Sequence, residues 1–142
     1  MRCEEIMKRD VECVAPTQTV QEAAQRMRDA NVGFLPVCDS NRKVMGTITD
    51  RDIAIRIVAE GRPPTTAAAD AMTAEVVACR PGDDVTDAEQ LMGRRQKSRM
   101  IVTDENERLV GVISLSDIAQ VDDAVRASET MKQITEREAR PQ

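Results

Sequence analysis

Gly46-Thr47-Ile48-Thr49-Asp50-Arg51-Asp52 is followed, 65 residues later, by Gly111-Val112-Ile113-Ser114-Leu115-Ser116-Asp117. Both stretches spell G-x-x-[ST]-x-x-D, and both fall where a β-rich run gives way to helical spacing. A Ser or Thr followed three residues on by an acid is a helix-start signature. The hydroxyl accepts from a backbone N–H, and the acid reaches back to the N–H of the cap residue itself. Two such corners at one spacing suggest that the whole chain is duplicated, which can be tested residue by residue.

The two halves align at this spacing without a gap. A shift of 65 places Met7 on Met72, Val11 on Val76, Pro16 on Pro81, Val20 on Val85 and Met27 on Met92. The same register carries Val37 onto Val102, Asp39 onto Asp104, Asn41 onto Asn106, and Asp52-Ile53-Ala54 onto Asp117-Ile118-Ala119. Each half then reads alike. Short β-rich runs are expected at Asp10–Val14 and Glu75–Cys79, ended by turns at Pro16 and Pro81. Thr19 and Asp84 are candidate N-caps, with Glu22 and Asp87 three residues on in capping-box positions. The helices behind them place Val20, Ala23, Ala24 and Met27 on one face, and Val85, Ala88, Leu91 and Met92 on the other copy's face. Two strands around a polar turn follow: Phe34–Cys38 and Lys43–Thr49, then Arg99–Thr103 and Arg108–Ser114. Second helices begin near Asp50 and Leu115.

The expected fold class is therefore α+β, two pseudo-symmetric β-α-β-β-α repeats with a C-terminal helical extension. Residues 1–60 are read as the first repeat, 61–66 as a linker containing Pro63 and Pro64, and 67–120 as the second repeat. In 121–142, Val121, Ala124, Val125, Ser128, Met131 and Ile134 have helical spacing, and from Thr135 on the polar chain is expected to fray.

Composition narrows the function classes. The chain has 142 residues, 41% hydrophobic and 32% charged, a globular balance. Phe34 is the single aromatic, so Val, Ile, Leu, Ala and eight Met must fill the core. A net charge of −5 works against nucleic acid and anionic membranes. The one basic run, Arg94, Arg95, Lys97 and Arg99, suits a helix C-terminus, and Arg99 could also contact a phosphate. No run has the ~20 apolar residues of a membrane span, and Met1–Asp10 is too charged for a signal peptide. A cytoplasmic protein is expected. Cys3, Cys13, Cys38 and Cys79 lack C-x-x-C spacing and there is no His, which argues against a metal site; Cys13 with Cys38 is the candidate redox pair. Without His, a nucleophile elbow or a phosphate-cradling glycine loop, the chain is not expected to be an enzyme.

The motif supports two readings. In one it is only a helix cap, and Gly46 and Gly111 only ease close packing. In the other the same atoms hold a sugar-phosphate: Thr49 and Ser114 donate to phosphate at a helix start, while Asp52 and Asp117 accept from a ribose diol. Arg51, replaced by Ser116 in the second copy, would strengthen the phosphate contact of the first. An adenine would need an apolar slot, for which the candidates are Val14, Ala15, Cys79 and Arg80 with Leu35, Pro36, Met100 and Ile101.

These repeats resemble a CBS-domain pair, or Bateman module. Phe34-Leu35-Pro36-Val37 and the first G-x-x-[ST]-x-x-D stretch are especially close to that family's pattern, although Ile101 stands where Pro is usual. The resemblance spans roughly residues 2–120. It implies two repeats packed sheet to sheet about a pseudo-two-fold with two clefts between them. It also implies a tendency to homodimerise, and AMP, ADP, ATP or S-adenosylmethionine as ligand, with no cofactor required. The motif acids would then hold ribose, and Thr49 and Ser114 the phosphate. The expected function is a regulatory nucleotide sensor acting on a partner protein in trans. The alternatives are a ligand-independent homodimeric scaffold, in which the motifs are caps alone, and a thiol-based stress sensor.

Overall fold

Thr19 and Asp84 open the first helix of each repeat, because each side-chain oxygen takes up a backbone N–H that the first turn leaves without a partner. Thr19 accepts from the Glu22 amide, and Asp84 from the Thr86 amide. Glu22 and Asp87 do not complete the expected boxes; their carboxylates stay in water, where a surface acid gains little from one more hydrogen bond. The structure is a computed structural model that describes residues 1–121 and 124–139.

In chain order the elements are helix α1 (Val20–Ala30), strands β1 (Phe34–Cys38) and β2 (Val44–Thr49), and helix α2 (Asp50–Asp52), which continues as a π-helical stretch, Ile53–Val58. Strand β3 (Ala78–Cys79), helix α3 (Val85–Arg95), strands β4 (Arg99–Thr103) and β5 (Leu109–Ser114), and helices α4 (Leu115–Ala119) and α5 (Ala124–Thr135) follow. The mixed α+β class and the two repeats are thus observed. Two strand expectations shrink: of Asp10–Val14 only Val14 bridges a strand, and of Glu75–Cys79 only Ala78–Cys79 pairs. The earlier residues of these runs include Asp10, Glu12 and Glu75, exposed acids with poor strand propensity.

The chain divides into two compact units. The first comprises Glu12–Val76 and Asn106–Leu109, the second Met1–Val11, Val77–Glu105 and the described residues from Val110 on. In the first unit β1 and β2 are antiparallel, Leu35 opposite Ile48 and Val37 opposite Gly46, with a register shift at Val37/Cys38. Val14 adds a parallel bridge to Val37. Val20, Ala23 and Met27 of α1 pack with Val14, Leu35, Val37, Ile48 and Ile57, an amphipathic stripe in the expected register. Ala24, expected on that stripe, is exposed. The first two amides of α1 donate to chain carbonyls further on, Val20 to Thr66 and Gln21 to Pro64.

In the second unit the sheet order is β3-β4-β5, with β3 parallel to β4. Its core gathers Val85, Ala88 and Met92 of α3 with Met100, Val102, Ile113 and Ile118. Cys3 and Met7 from the start of the chain complete it, as does Ile134 of α5. Helix α5 lies on α3 where Gly93 leaves room for Gln133. It covers Glu89, which is 1% exposed and accepts from the Thr130 hydroxyl at 2.7 Å. In the C-terminal pattern, Ile134 is buried while Val121 and Met131 are exposed; the side chains of Ala124 and Val125 lie outside the described residues. Thr135 closes α5. A 3-10 turn continues over Glu136–Ala139, with Arg137 donating to the Gln96 carbonyl at 2.5 Å. Residues 140–142 lie outside the described residues.

The duplication reaches the backbone angles. Asn31 and Gln96 end α1 and α3 at φ 55°, and Arg42 and Glu107 sit at φ 64° and 63° in the strand turns. Both pairs are spaced by the same 65 residues.

Candidate functional site

The two G-x-x-[ST]-x-x-D corners make the same pair of capping bonds. In the first unit Thr49, in extended conformation, accepts from the Asp52 amide at 3.1 Å, and Asp52 Oδ2 accepts from the Thr49 amide at 2.9 Å. In the second, Ser114 and Asp117 repeat both bonds at 3.1 and 2.9 Å. The next amide donates outward in each case, Asp50 to Gly33 and Leu115 to Ser98. The helix-cap reading of the motif is therefore correct as far as it goes, and each box contributes about 1 kcal/mol to its corner.

The caps leave chemistry over. Each hydroxyl accepts in the box, which leaves an O–H donor at each corner, in the second shared within the Ser114–Ser116 hydroxyl pair. Each carboxylate commits one oxygen to the box, and in both units the other, Oδ1, faces a cation. Arg56 Nη2 is 3.9 Å from Asp52, and Lys8 Nζ is 3.9 Å from Asp117. The two acids are mostly but not fully buried, with side chains 15% and 12% exposed. Neither cation was singled out from sequence. Arg56 lies one turn beyond its acid, a legible spacing. Lys8 is 109 positions away from its acid, and no local pattern marks it.

The motif glycines let a distant segment lie against each corner, and at Gly111 that segment carries Lys8. A Cβ on Gly46 would lie 2.5 Å from the Thr73 carbonyl oxygen and 2.9 Å from Met72 Sδ. A Cβ on Gly111 would lie 2.9 Å from the Lys8 carbonyl oxygen and 2.7 Å from Met7 Sδ. In each unit a Met-x segment crosses the strand here and exchanges two backbone hydrogen bonds with it. Thr73 pairs with Thr47 at 3.0 and 2.8 Å, and Lys8 with Val112 at 2.9 and 3.0 Å.

Set against known proteins, the CBS domain family matches residues 3–59 and 68–124. The chain belongs to the CBS domain family. It is 42% identical over 113 residues to the CBS domain-containing protein YhcV of Bacillus subtilis, covering 80% of this chain and 79% of that protein. The crystal structure of hypoxic response protein I with two coordinated zinc ions matches with a TM-score of 0.79 at 32% identity, covering 87% of this chain and 100% of the other. A CBS domain protein of Pyrobaculum aerophilum complexed with AMP matches with a TM-score of 0.78 at 23% identity, covering 93% and 99%. That last likeness shows the fold alone.

The remaining candidates of this CBS pair fall into two groups. Arg51, Ser116 and Arg99 are exposed beside the corners. Arg51 uses its amide to bond Asp50, Ser116 shares a 2.8 Å hydroxyl pair with Ser114, and Arg99 Nη1 lies 3.4 Å from the Ser98 hydroxyl and carbonyl. Val14, Leu35, Pro36, Cys79, Met100 and Ile101 are buried in their own units. Ala15 is half-buried. Arg80 is committed elsewhere, to the Thr103 hydroxyl and the Asp104 carbonyl.

All four cysteines are free. Burial, and then the neighbouring Cys13, push the Cys38 thiol up to about 12. It therefore stays protonated at neutral pH, whereas the thiolate is the reactive form. In the second unit the buried Cys79 thiol donates to Cys3 at 3.7 Å, which makes the Cys3 thiol easier to ionise and the Cys79 thiol harder. Among the described residues no group of three His, Cys, Asp or Glu could hold a metal ion, and no helix is long and apolar enough to cross a membrane.

Proposed function

We propose that this CBS pair is a non-catalytic regulatory module that binds an adenine nucleotide at its two corners and acts on a partner protein in trans. The observation that carries this reading is that each corner retains a hydroxyl donor and a second carboxylate oxygen after its cap is complete. A ribose diol needs that acceptor and a phosphate needs that donor. The roles assigned are ribose for Asp52 and Asp117, and phosphate for Thr49, Arg51, Ser114, Ser116 and Arg99. The buried candidates back an adenine slot with their main chain. AMP in the Pyrobaculum protein of the same fold supports a nucleotide, with AMP, ADP, ATP and S-adenosylmethionine as the ligands to test.

A ligand can shift such a module only by its differential affinity for two arrangements. Regulation therefore requires nucleotide to change a partner's affinity or activity. The scaffold alternative explains the caps and gives the second carboxylate oxygens only their ion pairs with Arg56 and Lys8. A C-terminal helix docked on another chain would favour the scaffold, whereas α5 buries Thr130 and Ile134 in its own unit. The family resemblance further implies a homodimer, and Ile55 and Val58, 49% and 71% exposed on the π-helical stretch, would suit a partner copy.

Calorimetric titration with the four ligands tests the reading. Asp52→Asn and Asp117→Asn keep an acceptor for the cap but remove the charge, and each is expected to weaken nucleotide binding about tenfold or more. Absence of binding by the unaltered protein would return the motif to the role of a cap.

A further inference from the structure

The two carboxylates face cations at the same distance, yet the cations are held in different ways. Arg56 is tied down: its Nη1 donates to the Ala71 carbonyl at 3.0 Å and to the Met72 carbonyl at 2.8 Å. Swinging it away from Asp52 would break both bonds. Lys8 is anchored only through its backbone, which the Val112 pairing fixes beside the corner. Its side chain is 73% exposed, and Asp117 at 3.9 Å, beyond hydrogen-bond length, is its one ion pair among the described residues. A flexible ammonium on a fixed backbone point can turn from the carboxylate to an arriving anion with little loss. At the same place in the first unit stands Thr73, which carries no charge.

We infer that Lys8 is the charge-determining residue of the Asp117 corner, selecting a ligand that carries phosphate over a neutral nucleoside or a sulfonium ligand. The inference rests on the nucleotide reading above. In the first corner a phosphate is served by Arg51, from the motif itself. In the second the motif offers Ser116 there, and the cation comes from the start of the chain instead. Without Lys8 the Asp117 carboxylate would repel the phosphate that Ser114 and Ser116 receive. With it, the corner is near neutral before the ligand arrives, and an ammonium–phosphate hydrogen bond forms once ribose occupies the carboxylate.

The test is calorimetry with ATP, AMP, adenosine and S-adenosylmethionine in the Asp52→Asn background, which leaves the Asp117 corner as the stronger site. Lys8→Thr should reduce the preference for ATP over adenosine about tenfold while leaving adenosine affinity unchanged. Lys8→Arg should restore that preference. On the unaltered protein, Thr73→Lys should raise the same ratio at the Asp52 corner. If Lys8→Thr leaves the ratio unchanged while Asp117→Asn still weakens ATP, the role of Lys8 is wrong and the nucleotide reading stands. An equal loss for ATP and adenosine would mean that Lys8 merely shapes the fold, which also overturns the inference. If the unaltered protein binds none of the four, both fall together.

Discussion

The corner at Asp52 and the corner at Asp117 have the same cap, the same glycine and the same crossing segment, but not the same source of positive charge. One takes its cation from the following turn of its own helix, the other from the first residues of the chain. The difference shows what duplication preserves. Backbone hydrogen bonds were retained in register, because losing one leaves a buried polar group without a partner. Side chains at the rim were free to diverge, because an exposed charge contributes little to stability. Specificity can therefore change at the rim of a corner whose frame stays constant.

The largest test of this likeness is steric. Gly46→Ala should cost about 3 kcal/mol in chemical denaturation and Gly111→Ala about 2 kcal/mol. The new methyl at Gly46 meets a backbone oxygen at 2.5 Å, whereas at Gly111 the nearest atom is a movable Met sulfur. Equal costs would mean that the crossing segments yield alike. Next comes the feature that only the second unit has. Thr130→Val removes the hydroxyl that Glu89 accepts from inside the protein, and should cost about 2 kcal/mol. Replacing the exposed Ala24, its counterpart of Glu89 in the first unit, by Glu should be nearly neutral by the same assay. Thr49→Ala and Ser114→Ala should then each cost about 1 kcal/mol, and by similar amounts if the two caps are equivalent. The smallest effect separates the cations. Arg56→Met should destabilise by about 1 kcal/mol through its two carbonyl bonds. Lys8→Met should cost under about 0.5 kcal/mol, as an exposed pair does. If Lys8 proved the more costly of the two, its side chain would be a structural tie rather than a mobile charge.

Much of this was legible in the residues, for identifiable reasons. Caps at Thr19, Asp84, Thr49 and Ser114 depend on neighbours two or three positions away, and strands β1 and β4 follow from short apolar runs closed by turns. Those interactions are local, so local spacing reveals them. The paired backbone specials were not read from the residues, since Arg42 and Glu107 at positive φ are neither Gly nor Asn and carry no composition signal. The misreadings were of another kind. Ala24 looked like a core residue and is exposed, while its counterpart Glu89, left off the apolar face of its helix, is buried. Helical periodicity is the same in both helices; only α5, present once, turns the corresponding face of α3 into an interior. The short strands erred for a similar reason, since a strand exists only as far as a neighbour runs beside it.

By itself, then, the order of residues determined the repeat, its α+β elements, the two caps and the hydroxyl–acid pair that gives the corners their chemistry. These all rest on interactions within a turn or two, or on a duplication visible as identity. Tertiary structure alone decided that Lys8 stands over Asp117, that Thr73 takes the matching place beside Asp52, and that a glutamate belongs in a core. Those outcomes depend on which distant segment crosses a glycine closely enough to exchange backbone hydrogen bonds, a choice among partners that no spacing along the chain records.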